Sequence, residues 1–148
     1  MISTVYIYTI DMQDFTKLKV WRKAHSFTVN LYRISSKFPS EEKFGLTNQI
    51  RRATVSIESN IAEGCGAKSK AFPVVEDDDM SGYALHSDKE FNRFLSIAKG
   101  SCYEVQCQIY IARDLNYISH DQCTLVISKL DEILKMIYSL RKKLEASS

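Results

Sequence analysis

Apolar residues in this chain recur in steps of three and four over four separate stretches, and that spacing constrains the fold more than any other feature. Val20, Ala24, Phe27, Leu31, Ile34 and Phe38 form the first stripe, and Leu46, Ile50, Ala53, Ile57 and Ile61 form the second. Phe91, Phe94, Ala98, Cys102, Val105, Ile109 and Ala112 make the third, and Ile127, Leu130, Leu134, Ile137 and Leu144 the fourth. At about 100° per residue each set falls on one face of a helix, and four such faces leave water only by packing on one another. The expectation is an all-α, antiparallel, up-down-up-down four-helix bundle. Five glycines and two prolines in 148 residues leave little material for turns, so the elements must be few and long. No segment has the length or turn chemistry of a strand, and no internal repeat occurs.

Local signals place the boundaries. Phe38-Pro39 ends the first helix, because the residue before proline avoids the helical region. Gly64 and Gly66 close the second. Ser87-Asp88-Lys89-Glu90 reads as a capping box opening the third helix, and Ser119-His120-Asp121-Gln122 as one opening the fourth. The turn near Asn116-Tyr117 is short, which makes its two helices antiparallel neighbours. Residues 15–148 therefore form the bundle. Residues 1–14 are an N-terminal extension, with Met12 as an alternative start. Residues 70–87 read as an inserted acidic surface loop.

The apolar start, MISTVYIYTI, lacks a basic region and a cleavage site, and no apolar run approaches the ~20 residues of a membrane span. A cytoplasmic protein is expected, with no membrane partner. Cys65, Cys102, Cys107 and Cys123 contain no CxxC pair and read as reduced, buried thiols. Net charge is +2, but Lys70 stands alone against Glu76, Asp77, Asp78 and Asp79 in the acidic stretch. The remainder is thus a moderately basic surface.

No glutamate has a histidine three residues on, so a di-iron bundle is excluded, and no cofactor or metal is expected. His25, His86 and His120 lie in no nucleophile context, and the Gly64 to Gly66 segment lacks a phosphate-loop lysine. His25 reads as a partly exposed interface residue. Arg113 to His120 (RDLNYISH) follows an Arg, six residues, His pattern that resembles the motif of HEPN-type ribonucleases. There His120 would be the general acid or base and Arg113 would stabilise the phosphorane. His120 also sits in a capping box, where no catalytic role is needed. Arg51 and Arg52 are about 100° apart on the second helix, so one belongs at the bundle flank and the other outward.

Several linked motifs resemble the 23S rRNA intervening-sequence proteins. They are Phe15 to Trp21 (FTKLKVW), Phe38-Pro39, Glu42 to Thr47 (EKFGLT), Gln49 to Ala53 (QIRRA), Ser59 to Gly64 (SNIAEG) and Ile97 to Glu104 (IAKGSCYE). The resemblance runs from about residue 14 to 144. It implies a non-enzymatic four-helix bundle that assembles as a homopentamer, with a basic surface. In relatives from diversity-generating retroelements, that surface binds reverse transcriptase and nucleic acid. The expected contacts to RNA, DNA or such an enzyme are Lys19, Arg22, Lys23, Arg51, Arg52 and Lys99. Trp21, Arg51, Arg52, Asn60 and Glu63 are expected at subunit contacts or in the structural motif. The alternative is a structural, self-assembling bundle with no nucleic-acid partner. Glu58 stands where relatives often carry proline, so a kink of the second helix there lacks its usual cause.

Overall fold

The computed structural model describes the backbone of residues 14–69 and 80–147, and side chains over 14–67 and 88–147. Four helices follow in order: α1 (Lys19–Ser35), α2 (Leu46–Ser69), α3 (Met80–Asp114) and α4 (His120–Ala146). Single 3-10 turns at Phe15–Lys17 and Ser40–Glu42 precede α1 and α2, and the described residues include no strand. Consecutive helices pack side by side and α4 returns beside α1, which is the expected all-α, up-down-up-down bundle. α2 and α3 make the most extensive interface and α1 and α4 the loosest, while α1 and α3 stand at opposite corners without contact.

Most ends are set by named hydrogen bonds. Ser119 caps α4: its Oγ accepts the Gln122 N–H at 3.1 Å, and Gln122 Oε1 accepts the Ser119 N–H at 3.2 Å. This is the capping box read from the sequence. α3 ends with Asn116 at φ 60°. The Tyr117 N–H then reaches the Ala112 carbonyl at 2.8 Å, and the Asn116 N–H reaches that of Arg113 at 3.0 Å, a Schellman closure. Glu42 ties two turns together. Its Oε2 accepts the Leu46 N–H at 2.7 Å, and its Oε1 accepts the Tyr117 hydroxyl at 3.2 Å. Burial, reinforced by the Glu42 charge, raises the Tyr117 hydroxyl above its ordinary pKa.

The core contains nearly every residue of the four stripes. Ile34, Phe94, Ile127 and Leu134 are only half-buried, and Leu95, Cys123, Val126 and Ile133 are buried instead. A three-four stripe can be drawn along two adjacent tracks of one helix, and only the neighbouring helix decides between them.

Three boundaries differ from expectation. α1 stops at Ser35, and Phe38 is buried in the turn beyond it. α3 begins at Met80, so residues 80–87 are helix and the box at Ser87 lies inside it; there the N–H groups of residues 88–90 find carbonyls one turn earlier. Third, Gly64 and Gly66 do not end α2, which runs to Ser69. Gly64 is instead a packing residue: a Cβ there would lie 2.5 Å from Phe91 Cδ2 and 2.9 Å from Phe94 Cβ. α2 also runs unbroken through Glu58. The rest of the acidic loop, 70–79, and the extension over 1–13 lie outside the described residues. No helix of the described residues is long and apolar enough to cross a membrane.

Candidate nucleic-acid interface

The loose packing of α1 on α4 leaves a groove of about 570 Å³ between them. Phe27 and Ile133 reach its floor from the core, which fixes the two helix faces that border it. One turn up the α1 edge stand Lys19, Arg22 and Lys23, and Lys129 faces them from α4. The only acid in the lining is Glu132, whose Oε1 is 2.9 Å from Lys23 Nζ. The hydrogen bond and charge of Lys23 hold the Glu132 carboxyl below the usual carboxylate range, with Lys19 adding to the effect. Both partners are about half exposed, so solvent screens the pair and it contributes little to stability. Among the described residues Lys19, Arg22 and Lys129 have no carboxylate within ion-pair distance. Arg22 donates to the Lys17 carbonyl at 3.1 Å and keeps its charge exposed. The groove therefore offers three uncommitted cations at the edge of an apolar floor.

The six cations read from the sequence do not form one patch. Lys19, Arg22 and Lys23 converge on the groove, while Lys99 is half-buried on α3, at the opposite corner from α1. Arg51 straps α2 to the end of α1. Its Nε donates to Ser35 Oγ at 2.9 Å, its Nη2 to the Tyr32 carbonyl at 3.3 Å, and its guanidinium lies 4.6 Å from the Tyr32 ring centroid. Arg52 is exposed. The flank-and-outward pair is resolved: Arg51 serves the fold, and Arg52 faces outward.

Trp21 is likewise engaged within the chain. Its ring meets Phe15 edge-on at 5.0 Å and stacks on His25 at 4.8 Å, while His25 Nδ1 is 2.8 Å from Glu58 Oε2. Asn60 donates to the Ser56 carbonyl at 2.7 Å, and Ser56 Oγ is 2.8 Å from Ser101 Oγ, a polar seam between α2 and α3. Glu63 is exposed.

At the far end of α3, Arg113 Nε donates to Asp114 Oδ1 at 2.8 Å and its guanidinium sits 4.8 Å from the Tyr110 ring. That hydrogen bond holds Asp114 below the carboxylate range, and the charges of Arg113 and His120 add to it. His120 is the exposed first residue of α4. Arg113, but not His120, lines a groove between α3 and α4. Of the four thiols Cys65, Cys102 and Cys123 are buried, but Cys107 is exposed, because position 107 falls opposite the α3 core stripe. Burial pushes Cys102 up to about 12.

Residues 16–73 and 80–139 match the sequence profile described as 23S rRNA-intervening sequence protein. The chain belongs to this family. The second matched segment begins where α3 begins. Among solved structures, the family chain is similar to a protein of unknown function from the S23 ribosomal protein family of Bacteroides thetaiotaomicron. The two are 23% identical, with a TM-score of 0.60, over 83% of this chain and 98% of that one. The likeness shows a shared bundle fold. No curated protein matches.

Lys129 and Glu132 complete the groove lining without any sequence motif that marks them. Both flank the buried Leu130 and Ile133, but only the approach of α4 to α1 brings them opposite Lys19 to Lys23.

Proposed function

We propose that this family member is a non-enzymatic, homo-oligomeric interaction protein of the cytoplasm. It binds RNA or DNA, alone or presented by a nucleic-acid enzyme such as a reverse transcriptase, through the groove between α1 and α4. The observation that carries this reading is the convergence of Lys19, Arg22, Lys23 and Lys129 on one groove that holds a single carboxylate. Phosphates approaching there release counterions from the nucleic acid, the main source of affinity for a cationic surface. A homopentamer, as the family resemblance implies, multiplies the groove and so raises avidity. A non-enzymatic role is supported by Arg113, whose guanidinium is committed to Asp114 and Tyr110 and not free for a developing phosphorane.

Glu132→Gln tests the assignment by a gain of function. It frees Lys23 as a fourth cation, so binding to labelled rRNA fragments and mixed-sequence duplex DNA tightens at low salt. The salt slope on duplex DNA then steepens by about 0.9. Unchanged affinity and slope count against the groove. Cleavage of labelled RNA by pure protein, abolished in His120→Ala, would replace this reading with the ribonuclease one.

A further inference from the structure

α3 carries a second stripe, on the side turned away from the core. Ile97, Gly100, Glu104, Cys107, Ile111 and, just past the helix end, Leu115 follow in helical steps, and all are exposed. Ile111 and Leu115 are 44% and 50% accessible, and Tyr103, at 56%, stands beside them. Exposed large apolar side chains clustered on one helix face in this way mark an interaction surface. Between Gly100 and Ala112 the only ordinarily charged side chain is Glu104, so the strip offers no cation to a phosphate backbone.

Gly100 sharpens the point. It lies well inside a 35-residue helix, at negative φ, and a Cβ there would meet nothing within 4 Å. Neither backbone conformation nor packing within the chain requires a glycine, which costs up to about 1 kcal/mol against alanine in a helix. A close approach from outside would require one.

A second apolar patch lies on another side of the bundle. Val29, Tyr32 and Val55 are each more than a third exposed on the α1–α2 seam. The contacts His25 to Glu58 and Arg51 to Tyr32 set a register that places Val29 beside Val55. The cations Arg51 and Arg52 border this patch, complementing Glu104, the one carboxylate within the α3 stripe.

We infer that the chain associates head to tail: the α3 stripe of one copy seats on the Val29, Tyr32 and Val55 patch of the next. Gly100 admits the close crossing, and Glu104 faces Arg52 of the partner subunit. Two different patches on different sides of one molecule make a heterologous contact, which repeats until a ring closes. This rests on the homo-oligomer reading and assigns it a surface.

The test uses Ile111→Glu, which spoils the α3 stripe, and Val55→Glu, which spoils the seam, each checked for native helicity by circular dichroism. Sedimentation velocity is expected to show each variant alone as a monomer at concentrations where wild type assembles. An equimolar mixture is expected to form a heterodimer and stop there, because each variant retains one intact face. Gly100→Leu, whose Cβ meets nothing of its own chain within 4 Å, is expected to raise the dissociation constant about 30-fold or more, and to leave the urea midpoint unchanged in the dissociated Val55→Glu background. Glu104→Arg and Arg52→Glu are each expected to weaken assembly and in combination to restore it. Variants that assemble like wild type, or a mixture that stays monomeric, overturn this pairing of faces alone. A monomeric wild type overturns the oligomer reading with it.

Discussion

Gly64 and Gly66 lie two residues apart on α2, and the same substitution should move stability in opposite directions. A methyl group at Gly64 would sit 2.5 Å from Phe91 Cδ2 and 2.9 Å from Phe94 Cβ. Phe91 is 2% accessible, and a Cβ is fixed to its backbone, so relief requires α2 and α3 to move apart. Such overpacking costs about 1–3 kcal/mol, against a gain in helix propensity of about 1 kcal/mol. Gly64→Ala is therefore expected to be less stable than wild type by up to roughly 2 kcal/mol. At Gly66 a Cβ would meet nothing within 4 Å, so Gly66→Ala keeps the propensity gain of about 1 kcal/mol. The propensity gain is common to both, so at about 2–4 °C per kcal/mol the overpacking cost alone should separate the two variants in Tm by some 2–12 °C. Thermal and urea unfolding in the dissociated Ile111→Glu background separate folding from assembly. A Gly64→Ala chain as stable as Gly66→Ala would refute the close approach of α2 to Phe91 and Phe94.

In the same background Arg51→Ala removes the ties to Ser35 and Tyr32 and is expected to cost about 1–2 kcal/mol by urea titration. Arg52→Ala, at an exposed position, should stay within about 0.5 kcal/mol, and equal losses would contradict the strap. Iodoacetamide at pH 8 should modify Cys107 in the folded, dissociated Ile111→Glu chain and leave Cys102 intact, because a buried thiol with a pKa raised to about 12 has almost no thiolate. Mass spectrometry showing Cys102 alkylated before urea is added would contradict its burial. Lowering pH through the depressed pKa of Glu132 neutralises the partner of Lys23. Nucleic-acid binding by wild type should therefore tighten below the ordinary carboxylate range, an effect that Glu132→Gln should reduce.

Helical periodicity revealed the architecture because four apolar stripes with so few turn residues have little choice but to pack on each other. It misplaced Leu95, Val126 and Ile133, since a single helix does not say which of two neighbouring tracks its partner will cover. Gly64 shows a second kind of error. Glycine past an apolar run signals a helix end, but it also permits close helix contact, and only Phe91 and Phe94 on α3 distinguish the two. The serine box at 87 failed for a related reason, because capping residues are tolerated inside a helix whose preceding turn already supplies carbonyl partners. The basic residues of α1 were legible as an exposed face. Their convergence with Lys129, and the diversion of Arg51 into the fold, depend on which helices become neighbours.

The most direct measurement is the salt dependence of binding to rRNA fragments and duplex DNA for wild type, the triple variant Lys19→Ala/Arg22→Ala/Lys23→Ala, and Lys99→Ala. Three uncommitted cations per groove correspond to a slope of log K against log salt near about −2.7 on duplex DNA, a loss of roughly 40-fold between 50 and 200 mM. Lys99→Ala should leave that slope unchanged, and the triple variant should flatten it by most of its value while keeping its sedimentation profile. Binding that is absent in wild type, indifferent to salt, or unaffected by the triple variant would contradict the groove as a nucleic-acid interface.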